Sequence, residues 1–489
     1  MGCGSSVTAP AALSSSAPSN PLSDSATSST EGQLVSLQAP AIIEESTWCR
    51  YGGEELEPLL EHVDLIDASW LLKLAKGEVM PERKGIVLPW QHLPQEAKVS
   101  LAQLRCSSMR RRLPVAVLSY GWAAHSHPDP SGHLLRRLIP ALESMVHSCT
   151  HGTSATCPSW KPATWGLIWD FMSLPQRGYT TGYSPTHEDR TPLELTRFRM
   201  GLGSINVWYG AKYATVLVAD WPMPDDADNK APLDKRGWCI FERYLSSISK
   251  HSNCCLTLRR TDSCRQRYWN DVATMCKASR LPPLAPDAFE KMLRTGMARE
   301  EVDAGTGICF TNGHDATEIC IPQYREGFLR LMGAGGELVF AGCNWKDPDL
   351  SLLAAALAYA HNEGVSTPAH KLYLSNNKLT GVGLAPLLDT IATGALPEMR
   401  ELFLERNMGL GDAGAFALAS ALSQGHLCRL NALHLDHTGM GDAGVRALCG
   451  VLQSAPSLER LYIGANAFGE EASGELSASC SACGVTIIC

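Results

Sequence analysis

The chain has 489 residues, a net charge of −8 and 45% hydrophobic against 19% charged residues. That is the balance of a soluble globular protein of roughly two to four domains, and it argues against a nucleic-acid protein, which would present a basic face. The 18 cysteines are not the framework of a small secreted domain. No signal peptide is legible and no stretch reaches the ~20 apolar residues of a spanning helix, so reduced thiols in a cytosolic compartment are the expectation.

The chain opens with MGCGSS. Removal of Met1 would expose Gly2, Ser6 stands where an N-myristoylation pattern needs Ser or Thr, and Cys3 is placed for palmitate. One myristoyl chain holds a membrane only weakly, so the second acyl chain matters. Residues 1–33 are rich in Ser, Ala and Pro and read as a disordered tether. Residues 34–113 read as a helical lead-in. HVDLIDASWLLKLAKGEVM spaces Leu65, Trp70, Leu71 and Leu74 as a helix does, and LPQEAKVSLAQLR looks like a second helix with Pro94 early in it. Arg110, Arg111 and Arg112 then read as a solvated approach to a strand, with a lipid-phosphate contact as the alternative.

Val115 to Ser119 is a short β-branched run, the mark of a buried parallel strand. A polar loop, AAHSHPDPSG, precedes an amphipathic helix carrying Leu134, Leu138, Leu142 and Met145 on one side. Leu167 to Phe171 reads as a second buried strand containing Asp170, LELTRFRMGLGSINVWYG as a helix, and Ala214 to Ala219 as a third strand. KRGWCIFERY, Lys235 to Tyr244, begins the next helix and sets one carboxylate, Glu242, inside an apolar run. Alternating strands and helices predict a parallel sheet covered on both faces. Ligands bind such sheets beyond the carboxyl ends of the strands, where Ser119, Trp122, Asp170 and Glu242 would lie.

Four elements together, VLSYGW, LIWDF, TVLVAD and Trp238-Cys239 followed by Glu242, resemble a Toll/interleukin-1 receptor-type (TIR-like) domain over about Pro114 to Ser249. Fungal incompatibility (HET-type) domains share a similar core. The wider pattern, with its helices and repeats, is similar to TIR-like proteins of algae and protists. The resemblance implies a flavodoxin-like α/β sheet over 114–250. It also implies a catalytic role for Glu242 if the domain cleaves NAD, with Ser119, Trp122, Asp170 and Trp238 around the nucleotide. A carboxylate near the ribose would stabilise the oxocarbenium-like charge that develops as the nicotinamide bond breaks. Many TIR domains are interaction modules that associate with one another, and a Trp-Cys pair beside a helix also serves as plain core packing.

Residues 251–332 read as a linking helical segment, with Cys254 and Cys255 as buried strand. From residue 333 a period of about 30 residues appears. Its frames start at Leu338, Leu372, Leu402, Leu433 and Leu461, and each is followed by a helical stretch. The frames match the long, ribonuclease-inhibitor-like form of the leucine-rich repeat. Asn377, Asn407 and Asn466 would ladder its turns, with Thr438 replacing Asn in one of them and Cys343 at the equivalent place in the first. The final SASCSACGVTIIC would supply a capping strand. No phosphate-binding P-loop, dinucleotide fingerprint, zinc-protease or nucleophile-elbow motif is present. His125, His127 and Asp129 read as a turn, and Cys480-x-x-Cys483 is an incomplete zinc pattern, so no metal and no required cofactor is expected.

Two readings follow. One is a membrane-tethered signalling or interaction protein on the cytoplasmic side, whose short α/β solenoid binds a protein on its concave face. The other is an NAD glycohydrolase acting through Glu242.

Overall fold

Val115–Ser119, here strand β2, is buried at every residue, and that burial sets the layout of the first domain. The computed structural model describes residues 47–180, 188–303 and 305–488; Gly2, Cys3 and the tether 1–33 lie outside the described residues. The first sheet has five strands in the order β1-β3-β2-β4-β5: β1 (Ile66–Asp67), β2, β3 (Gly166–Ile168), β4 (Thr215–Val218) and β5 (Cys255–Thr257). The last four are mutually parallel, and β1 pairs antiparallel with β3.

Side chains alternate between the faces, as the period of two requires. Val115, Val117, Val216 and Val218 pack on one side with Trp208, Phe241 and Leu245. Ala116, Leu118 and Leu217 pack on the other with Leu135, Leu138 and Leu142 of the helix His133–His151. A sheet covered on both faces needs near-continuous apolar strands, and these residues supply them.

The sheet draws in two strands from outside residues 114–250. Ile66–Asp67 is too short to carry a periodic signal. Asp67 then turns the chain directly into the helix Ala68–Lys76 by accepting from the Trp70 N–H at 2.8 Å. Cys255–Thr257 forms the far edge, so the segment after 250 is not wholly helical. The strand expected over 167–171 stops at Ile168, and Asp170 begins a short helix, Asp170–Ser173. LPQEAKVSLAQLR is split: Val99 N–H bonds back to Leu65 O at 2.9 Å, and the helix proper starts only at Leu101, capped by Ser100.

The second sheet has six parallel strands. These are β6 (Glu337–Val339), β7 (Lys371–Tyr373), β8 (Glu401–Phe403), β9 (Ala432–His434), β10 (Arg460–Tyr462) and β11 (Thr486–Ile488). Leu338, Leu372, Leu402, Leu433, Leu461 and Ile487 stand in register. The five leucines are buried, each contributing about 1.5–3 kcal/mol by leaving water. Asn377 ties adjacent turns together. Its Oδ1 accepts from the Cys343 and Trp345 N–H groups, both at 3.0 Å, and its Nδ2 donates to Phe340 O and Leu374 O, both at 2.9 Å. Asn407 and Asn466 repeat the device. The Thr438 hydroxyl bonds only Leu435 O and Asn466, so the side chain makes no link to the preceding turn.

The two sheets share one apolar core, which runs from Val115 and Phe241 through Tyr324 and Phe328 to Leu338 and the repeat leucines. Arg280, 3% exposed, joins them by donating to Ser247 O at 2.6 Å and to Val339 O. Trp345 Nε1 donates back to Arg280 O at 2.9 Å. Asn377→Ala leaves the Cys343 and Trp345 N–H groups and Phe340 O short of a partner, while Leu374 O keeps Asn407 Nδ2, and the expected loss is about 2–4 kcal/mol. Thr438→Ala should cost only about 1 kcal/mol, and urea unfolding midpoints of the two variants make the comparison.

Candidate functional site

The order of the parallel strands turns at β2, which lies between β3 and β4, and in such sheets ligands bind at the carboxyl ends of the strands beside that turn. Ser119 ends β2, Asp170 opens the turn after β3, and Glu242 sits in the helix Gly237–Ser247 that follows β4. That helix buries Cys239, Ile240, Phe241 and Leu245 against the sheet, which leaves position 242 at its half-buried margin. The apolar run therefore carries its carboxylate to the sheet edge rather than to open water.

Ser119, Asp170 and Glu242 converge there, joined by Tyr209. Glu242 Oε2 is sealed from solvent and has no hydrogen-bond partner. Ser119 Oγ is likewise buried and unpartnered, and the Tyr209 hydroxyl donates to Leu118 O at 2.9 Å. Burial pushes the Glu242 carboxyl up to about 8, the Asp170 charge adds to the rise, and the nearby Ser119 and Tyr209 hydroxyls draw it partly back. Glu242 is thus shifted toward its protonated form near neutral pH.

Asp170 is held by a ring of donors. Tyr120 Oη donates to Oδ1, Trp122 Nε1 to Oδ2 at 3.2 Å and Phe171 N–H to Oδ1 at 2.6 Å. Burial raises its carboxyl above the ordinary range, and the Tyr120 bond opposes the rise. Trp122 is therefore at the expected edge, but its indole N–H is committed to Asp170 and its ring meets Phe171 edge-on at 5.7 Å.

Trp238 belongs to a different contact. Its Nε1 donates to Asp315 Oδ2 at 2.9 Å, under a strap formed by the later segment. Gly237 N–H bonds Cys309 O and Cys309 N–H bonds Lys235 O, both at 2.9 Å. The Phe310 ring lies so close to Gly237 that a Cβ there would come within 1.9 Å of it. Cys239 donates to Tyr120 O at 3.1 Å, and burial holds its thiol well above the usual range, so it is not a thiolate nucleophile. Arg236 spans the loops by donating to Trp122 O, Asn229 O and Ala231 O at 2.8–2.9 Å.

The cavity at the ends of β2 and β4 is small, about 30 Å³, and is lined by Tyr120, Gly121, Asp129, Ala219 and Trp221 among others. It holds a water or two, not a dinucleotide. The HSHPDP loop is structural: Asp129 caps the helix His133–His151 through the Leu134 and Leu135 N–H groups at 3.0 and 2.9 Å, and His127 Nε2 lies 3.0 Å from Val87 O. Among the described residues no cluster of three or more potential ligands is placed to hold a metal ion.

Tyr120, Tyr209, Arg236 and Asp315 escape a reading of the sequence. Tyr120 is adjacent to Ser119, but nothing in VLSYGW says that its hydroxyl reaches an acid 50 residues away.

An unfolded glutamate ionises near 4.5 and native Glu242 near 8. Between those values the unfolded chain releases a proton that the native state keeps. Stability therefore falls as pH rises through this window, and the loss is complete above about pH 8. Glu242→Gln should remove that slope and gain about 2–4 kcal/mol over the parent at high pH, which denaturant midpoints at about pH 5 and about pH 9 will measure.

Residues 426–449 match the leucine-rich repeat family. Over 118 residues, 23% of this chain, the sequence is 34% identical to ribonuclease inhibitor of Sus scrofa. The chain spans about a quarter of that relative's length. The C-terminal part of the chain is a leucine-rich-repeat region.

Proposed function

We propose that the chain is a signalling or interaction protein whose repeat solenoid binds a protein partner, joined to a TIR-like domain and tethered by acyl chains on Gly2 and Cys3 to the cytoplasmic face of a membrane. The observation that carries this reading is a column of rings on the strand face of the solenoid. Tyr373, Phe403, His434 and Tyr462 stack in turn at centroid distances of 4.2, 4.0 and 3.9 Å, with interplanar angles of 13–19°. Strands line the concave side of such a horseshoe. Rings that hold one another lose little entropy on binding and offer broad amphipathic contact area. The Lys371–Glu401 ion pair at 3.0 Å runs beside the column, the kind of charged flank that fixes register with a partner. The strand order β3-β2-β4-β5, with the Trp-Cys-x-x-Glu helix after β4, supports the TIR-like reading. Self-association through that domain is part of the proposal.

The second reading, NAD cleavage, is favoured by the meeting of Ser119, Asp170 and Glu242 at the sheet edge. The cationic nicotinamide of NAD would draw the Glu242 proton off and supply the carboxylate that the reaction needs. The strap over Trp238 weighs against it in this conformation, and the cavity at the ends of β2 and β4 is not lined by Ser119, Asp170 or Glu242.

Phe403→Glu puts a charge in the middle of the column and should abolish capture of a protein partner that the parent retains, with circular dichroism and thermal melting unchanged. Equal capture by parent and variant would overturn the solenoid reading. For the second reading, clustered protein is incubated with NAD and nicotinamide release is followed. Release that disappears in Glu242→Ala and rises with pH toward about 8 establishes an enzyme; no release from the clustered parent removes that reading.

A further inference from the structure

The opposite edge of the first sheet carries a second constellation. Three parallel strands enter the sheet from basic residues: Arg111 and Arg112 before β2, Lys212 before β4, and Lys250 and His251 before β5. The Leu113 N–H donates to Tyr213 O at 2.9 Å and draws the first two approaches together. The Tyr213 ring stands 6.1 Å from His251 and 5.0 Å from Tyr51, with Lys212 Nζ 5.7 Å from its centre. Arg111, Arg112, Lys212 and Arg280 all lie within electrostatic reach of His251.

Two of these cations have structural work. Lys250 Nζ donates to Ala211 O and to Ala214 O at 2.9 Å, and Arg280 bridges the two sheets. Arg111 and Lys212 do not, and Arg112 is held against the Cys254 thiol. Among the described residues none of the three has a carboxylate within 4.0 Å. Arg112, read from the sequence as solvated, is instead 4% exposed, and its Nη1 has no hydrogen-bond partner. Its positive charge is buried beside the Cys254 thiol with no carboxylate within 4.0 Å, an arrangement that is costly unless an opposite charge is brought to it. The nearby acid is Glu337 of β6, which acts on Lys212 and on the Tyr213 and Tyr373 phenols but does not balance the cations. Exposed Arg111 and half-buried Lys212 give this charge a face to solvent; half-buried His251, pushed down to about 4 by burial and by these cations, is a neutral ring there that can donate one N–H.

We propose that Arg111, Lys212 and His251, backed by the buried Arg112 and Arg280, bind a phosphate-bearing anion where the first sheet meets the first repeat. The chemistry fits. Guanidinium offers a planar fork, ammonium a point charge and the Tyr51 and Tyr213 phenols neutral donors, and they approach from separate loops. A tetrahedral, multiply charged acceptor meets all of them at once, whereas a single carboxylate satisfies only one fork. The phosphate comes either from a soluble polyphosphate or from a phosphoinositide headgroup. The site is independent of the Glu242 edge and borders the first ring of the column, Tyr373, which both Arg111 and Glu337 reach electrostatically.

The test uses the full unacylated chain. Tripolyphosphate is titrated by calorimetry and by thermal melting against sodium chloride of equal ionic strength. In parallel, the protein is sedimented with phosphatidylcholine vesicles with and without phosphatidylinositol bisphosphate. Saturable binding in at least one arm is expected, weakened more than about tenfold by Arg111→Gln with Lys212→Gln. Lys212→Gln alone should give an intermediate loss, and Arg110→Gln, which removes an equal charge from the neighbouring exposed position, should leave binding unchanged. Tripolyphosphate binding without vesicle binding assigns a soluble ligand, and vesicle binding that requires the phosphoinositide assigns the headgroup. Absence of saturable binding in both arms overturns the site, and so does an Arg110→Gln loss as large as that of the double variant.

Discussion

Arg280 is a buried cation whose guanidinium bonds one carbonyl of the α/β domain, Ser247 O, and one of the first repeat strand, Val339 O. Around it Phe340 and Trp345 stack at 4.8 Å, and the guanidinium lies 5.1 Å from the Phe340 ring centre. A charge so placed is tolerated because carbonyl dipoles face it from both sides. Its consequence is that the two sheets cannot separate without stripping those bonds and opening the apolar core that runs through Tyr324 and Phe328. The repeats are therefore a continuation of the α/β domain rather than a module on a flexible linker.

That rigid junction gives the first sheet two unlike ends. At the carboxyl edge, acids are buried: Asp170 ringed by donors, Glu242 with an unpartnered oxygen. At the amino edge, cations gather, with Arg112 buried beside the Cys254 thiol and its Nη1 without a partner. Parallel strands deliver this polarity because each strand starts at one edge and ends at the other. Residues before the strands meet one another, and residues after them meet one another. The ring column adds a third surface, built by the repeat period, which sets Tyr373, Phe403, His434 and Tyr462 in adjacent strands at the same register.

Much of the fold was legible because its signals are local. Val115–Ser119 reads as a buried strand from composition alone and is one. The repeat leucines and Asn377, Asn407 and Asn466 recur with a period that only stacked turns explain, and they stack. What was not legible was short or distant. Two residues of β1 carry no period, and the strap at Cys309 and Phe310 reaches Gly237 from some 70 residues further along the chain. Trp238, one turn before Glu242 on the same helix, gives its indole N–H to Asp315, 77 residues further along the chain.

By itself, then, the sequence determined the parallel α/β core, the repeat solenoid and the residues that gather at the carboxyl edge. Hydrophobic periodicity and strand direction are properties of contiguous residues, and so they are written locally. Only the tertiary structure decided the charge state and access of those residues. The Glu242 carboxyl is held near 8 by burial and by Asp170, groups supplied by other elements, and Arg112 lost its water through packing that no run of arginines announces. Desolvation depends on everything that surrounds a group, and that is known only once the distant parts of the chain have met.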